Sequence, residues 1–106
     1  MRALVYRYAF AADCDNHVIE ASLLRALESA EALLGESRVK LDIEYVFDPI
    51  LMVCVVDAST RVGKTINHLF VGRLRRTIGP TKFRVERKSK AGKQLQEVED
   101  DRSTSR

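Results

Sequence analysis

The chain has only two cysteines in 106 residues. Cys14 sits in a polar stretch and Cys54 inside the apolar run 50–56. That setting implies no structural disulfide, the usual staple of small secreted domains, and a reducing cytoplasm is the expected location. No apolar run approaches the ~20 residues that a membrane-crossing helix needs, so no membrane partner is expected. The opening MRALVYRY carries charge at once and lacks the apolar stretch and small-residue cleavage site of a secretory signal. Acidic residues are nearly missing from one long segment: residues 61–93 hold one acid against eleven bases. Residues 1–60 hold ten acids and five bases, and residues 94–106 four and two, so the overall charge of +3 conceals a sharp segregation. A field of that kind favours anionic partners unless the two halves pair internally.

With 45% hydrophobic residues the chain can bury one modest core. Residues 1–88 are read as a single α+β domain. Residues 89–106, charged and without period, are read as a disordered tail. Residues 2–10 are aromatic and β-branched enough for a strand. Asp13, Asp15 and Asn16 offer capping oxygens to a helix whose apolar positions (Ile19, Leu23, Ala26, Leu27, Ala30, Leu33 and Leu34) recur at helical spacing up to Gly35. Residues 38–47 alternate, with Val39, Leu41, Ile43, Tyr45 and Phe47 on one face, which predicts a half-buried strand. Asp48-Pro49 makes a turn, and residues 50–56, apolar throughout, read as a strand covered on both faces. Asp57, Ser59 and Thr60 cap a second helix carrying Val62, Ile66, Leu69, Phe70, Leu74 and Ile78, ended by Gly79-Pro80. Residues 82–87 alternate as a last strand. The order β-α-β-β-α-β, with strands 1 and 3 the most apolar, predicts a ferredoxin-like split βαβ: a four-stranded antiparallel sheet of order 4-1-3-2 with two helices on one face. That topology hosts many functions and carries no activity with it.

Several constellations compete as sites. Ala58-Ser-Thr-Arg-Val-Gly-Lys-Thr65 approximates a phosphate-cradling loop in Lys64 and Thr65, but Ala58 stands where such a loop needs glycine. A capped helix start with Lys64 in water is the preferred account of it. Cys14, His17 and His68 do not reach the ligand number or spacing of a zinc site. Cys54, between valines, lacks any neighbour that would lower its pKa. Asp42, Glu44 and Asp48 are polar loop or strand positions, and Asp57 is explained by capping. No catalytic residue, cofactor or metal is assigned, and an enzyme is not expected.

The basic segment is the stronger signal. Arg61, Lys64, Arg73, Arg75 and Arg76 on the second helix, with Lys82 and Arg84 after it, form the candidate surface for an anionic macromolecule; Arg87, Lys88, Lys90 and Lys93 extend it. Arginine predominates on the helix, and its planar fork suits phosphate oxygens. The seven Tyr and Phe residues all read as core, which leaves no stacking platform for single-stranded nucleic acid on the sheet. The expected function is a non-enzymatic binding module, with nucleic-acid backbone ahead of an acidic protein. The alternative is a homodimer or adaptor using the open sheet face, where Ala3, Val5, Arg7 and Ala9 lie beside strand 3 within a rim of Lys40, Asp42, Glu44, Lys82, Arg84 and Glu86. Nucleotide binding at residues 58–65 is the third reading.

Overall fold

A computed structural model describes residues 4–89. Apart from Ser89, the expected tail lies outside the described residues, as do Ala3, Lys90 and Lys93. The elements run β1 (Leu4–Phe10), α1 (Asn16–Leu34), α2 (Glu36–Asp42), β2 (Tyr45–Asp48), β3 (Val53–Asp57), α3 (Arg61–Thr77) and β4 (Phe83–Ser89). The strands form one sheet of order β2-β3-β1-β4 with every neighbouring pair antiparallel, which is the expected order read from the other edge.

One face of the sheet carries the core. Tyr8 and Phe10 of β1 and Cys54 and Val56 of β3 are buried beneath Ile19, Leu23, Ala26 and Ala30 of α1 and Val62, Ile66, Phe70 and Leu74 of α3. The Tyr8 and Phe70 rings are tilted to each other with centroids 4.8 Å apart, and Phe10 lies edge to face at 6.4 Å from Phe47 and 6.5 Å from Phe70. Tyr45 departs from the expectation that every aromatic is core, being 40% exposed.

The expected strand 38–47 is corrected. Its first half is the short helix α2, and only Tyr45–Asp48 joins the sheet. Positions 39 and 43 share a face at either period, so the alternation there is ambiguous. Leu41 separates the two: it would be inward in a strand, and in the structure it is 83% exposed while Val39 is buried. Gly35 makes the junction by adopting φ 95°, a conformation that costs a side-chain-bearing residue, so one helix stops and the next starts on the same residue. The i,i+4 pairs Glu36–Lys40 at 2.8 Å and Arg38–Asp42 at 3.5 Å lie along the exposed side of α2.

The apolar run 50–56 also divides. Ile50 and Leu51 are 90% and 71% exposed at the tip of the β2–β3 hairpin, and the strand begins only at Val53. The Asp48 carboxylate closes the turn by accepting from the backbone N–H groups of Ile50 at 2.9 Å and Leu51 at 3.0 Å. Register places Val5, Arg7 and Ala9 of β1, Val53, Val55 and Asp57 of β3, Val46 of β2, and Arg84, Glu86 and Lys88 of β4 on the open face. Lys40 and Asp42, expected on the rim of that face, belong instead to α2.

Candidate anion-binding surface on α3

The start of α3 is set by side-chain caps. Thr60 Oγ1 accepts from Gly63 N–H at 3.0 Å, and the Asp57 carboxylate accepts from the Ser59 N–H at 2.9 Å and hydroxyl at 2.7 Å. The Ala58 N–H is given to the Leu4 carbonyl at 2.7 Å and the Lys64 N–H to the Thr60 carbonyl at 3.1 Å. Amides that a phosphate-cradling loop must leave open are therefore engaged. Gly63 is there for packing: a Cβ at this position would drive into the backbone carbonyl of Asp57. The first turn of α3 thus rests directly on the end of β3, and the Asp57 carboxylate adds negative charge beside it.

Past that turn, α3 divides cleanly. Val62, Ile66, Phe70 and Leu74 are buried at four-residue spacing, while Arg61, Lys64, His68 and Arg75 fall within about one quadrant on the opposite side, given 100° per residue. Arg61, Lys64, Arg75 and Arg76 are exposed, and Arg73 is half-buried on the flank toward α1. Arg75 and Arg76 also stand in the last turn, where positive charge complements the helix carbonyls.

No ion pair joins α3 to Glu20, Glu28 or Glu31 of α1 among the described residues; the pairs present are Arg38–Asp42, Lys40–Glu36, Lys82–Asp13 and Lys88–Glu86. Helical geometry gives the reason. The three glutamates lie on the side of α1 away from its buried residues Ile19, Leu23, Ala26 and Ala30, whereas the flank turned to α3 carries Val18, Ala21, Ser22 and Arg25. The basic face of α3 is not neutralised by its neighbour.

Five of the seven candidate residues are thereby gathered on one helix. Lys82 is placed elsewhere: its ammonium pairs with the Asp13 carboxylate at 2.6 Å, which holds Asp13 below the usual carboxylate range and raises Lys82. Arg84 sits opposite Ala9 and projects from the open face, away from α3. Arg87, opposite Tyr6, shares the helix-bearing face. Arg25 went unnoticed in the sequence because it was counted with the acidic half; its place three residues after Ser22, off the glutamate stripe, was the available signal. With Arg73 it lines a cleft of about 370 Å³ between α1 and α3.

Two buried reactive groups, Cys54 and Tyr8, are held in their neutral forms. Burial pushes the Cys54 thiol up to about 12. Burial likewise raises the Tyr8 phenol, with the nearby Cys54 and Tyr6 adding to the shift. Among the described residues, no three His, Cys, Asp or Glu side chains are grouped to hold a metal ion, and no helix is long and apolar enough to cross a membrane. No family model matches this chain, and neither does any curated protein or solved structure.

Proposed function

We propose that this chain is a non-enzymatic module that binds nucleic-acid backbone through the basic side of α3, with exposed Arg61, Lys64, Arg75 and Arg76 and the half-buried Arg73 on its flank as the contacting residues. The observation that carries this reading is the absence, among the described residues, of any ion pair to those five side chains. From Arg61 to Arg76 the helix advances about 22 Å at 1.5 Å per residue, enough to follow several successive phosphates. Arginine forks favour phosphate oxygens over the more scattered carboxylates of a protein surface. Tyr45 is exposed, but a single ring is no stacking platform, so recognition is of backbone and shape rather than base sequence. The element order, with α2 as an insertion in the first crossover, is in keeping with a ferredoxin-like split βαβ arrangement, which provides a rigid seat for the helix. The test is binding of a short labelled duplex and of a single strand across a salt series, with an Arg75→Ala/Arg76→Ala variant beside the wild type. Salt-sensitive binding that the variant loses supports the reading; salt-independent binding, or none, refutes it.

A second reading rests on a different observation, the charge pattern of the open sheet face. Val46 is 66% exposed there, beside half-buried Val53 and Val55. Basic Arg7, Arg84 and Lys88 outnumber Glu86 on the β1–β4 side, and Asp57 lies on the β3 side. A second copy related by a two-fold axis along the strands would lay its β2–β3 side on the β1–β4 side of the first, setting acid against base around the valines. A salt-resistant dimer by light scattering, lost on Val46→Glu, would support it; a monomer would exclude it.

A further inference from the structure

Arg25 and Arg73 come from different helices, carry the same charge and line the same cleft. Side chains of like charge brought together in this way repel, and an anion between them removes the repulsion. The cleft walls contain no carboxylate: beyond the two arginines they are His17, Ser22 and Thr77 with the apolar faces of Val18 and Ala21. Asp13 and Asp15 line the adjacent, smaller hollow, and Asp13 is already paired to Lys82. Two hydroxyls fix the helix crossing at the cleft floor. Ser22, which is buried, donates to the Val18 carbonyl at 2.8 Å and its oxygen lies 3.3 Å from that of Thr77, which donates to the Arg73 carbonyl at 2.9 Å. The backbone of Arg73 is therefore held by this hydrogen-bond chain, and Arg25 stands one turn along α1 from Ser22.

We propose that the α1–α3 cleft seats a single phosphate group between the guanidinium groups of Arg25 and Arg73, with His17 at its mouth. This rests on the reading of phosphate as the partner's chemistry, and adds to it a defined seat to which α1 contributes. Two forks approaching one phosphate from opposite helices supply the planar, charge-assisted hydrogen bonding that a lone exposed arginine does not. The phosphate is either a diester within a nucleic-acid backbone or a free or terminal monoester, and the chemistry of the seat is common to both.

The experiment is an NMR titration of the full chain with inorganic phosphate at constant ionic strength, following the arginine Nε–H and histidine ring resonances. The expected result is saturable shifts at Arg25, Arg73 and His17, with the affinity falling about tenfold in Arg25→Gln and in Arg73→Gln and unchanged in Arg84→Gln, on the opposite face of the sheet. Arg25 is exposed, so its variant should fold, and an unchanged unfolding midpoint verifies that. Shifts spread evenly over all the α3 arginines, or none, overturn the seat even where duplex binding persists; in that case the basic face of α3 stands without it. Saturable phosphate shifts with no duplex binding uphold the seat and remove the nucleic-acid reading. An oligonucleotide with and without a terminal phosphate separates the sources: a gain from the terminal group that Arg25→Gln abolishes assigns the monoester, and an equal loss for both oligonucleotides assigns the backbone.

Discussion

The Tyr8 hydroxyl donates a 2.6 Å hydrogen bond to Asn67 Oδ1, tying the centre of β1 to the middle of α3. Tyr8 is fully buried and its ring packs on Phe70, so this one side chain sets both the depth and the rotation of the basic helix. Tyr8→Phe leaves the Asn67 acceptor without its donor and is expected to cost about 1–2 kcal/mol. Urea unfolding should show a lower midpoint at unchanged slope. Because burial raises the Tyr8 phenol, the stability that it contributes is present below its unfolded pKa of about 10 and declines as pH rises beyond it. Ultraviolet titration should therefore find the Tyr8 phenol ionising only as the protein unfolds.

Two glycines in α3 should respond oppositely to the same change. Gly63→Ala drives a methyl into the Asp57 carbonyl, so the helix must lift from the strand end, at a cost of about 3 kcal/mol or more. Gly72→Ala meets only the Arg76 guanidinium at 3.8 Å, an ordinary contact, and should stabilise by about 0.5–1 kcal/mol through reduced chain entropy. Thermal unfolding of the two variants reads both signs.

The thiols should be separable. Cys54 is buried with its pKa pushed up to about 12, while Cys14 is half-buried in the loop before α1. A disulfide reagent at neutral pH should modify Cys14 alone in the folded protein and both in denaturant. Fast modification of Cys54 in native buffer would mean that β3 opens readily.

Removing Lys82 should alter stability at neutral pH and not anion binding. Lys82 lowers the Asp13 pKa, so the pair's small contribution is present above the ordinary carboxylate range and disappears as pH falls through it. Lys82→Met should unfold slightly more easily at neutral pH, and the difference from wild type should vanish in acid.

How far these features were legible in the sequence depended on whether one residue's periodicity had one meaning. The stripes of α1 and α3, their caps at Asp15 and Thr60, and the most apolar strands β1 and β3 were readable because a long amphipathic period has few alternatives. Residues 38–47 were misread because Val39 and Ile43 fit a strand and a helix equally, and Leu41, the residue that separates the two, faces outward. The length of the third strand was overestimated because Ile50 and Leu51 are apolar at an exposed turn closed by Asp48. In the candidate site, charge density was enough to mark α3 as the helix that carries most of the bases. The diversion of Lys82 to Asp13, the turning of Arg84 to the open face and the pairing of Arg25 with Arg73 across a cleft all depend on tertiary register that no local pattern encodes.

The most direct test of the basic face is the salt dependence of duplex affinity between about 50 and about 200 mM salt. Each neutralised phosphate contributes about −0.9 to the log–log slope, so four or five α3 contacts predict a slope of about −4 and a loss of roughly 250-fold over that range. Arg75→Ala/Arg76→Ala should bring the slope to about −2, and Arg84→Ala, on the opposite face, should leave it unchanged. A slope near zero, or an Arg84→Ala effect equal to that of the helix variant, would contradict the assignment of the anionic partner to α3.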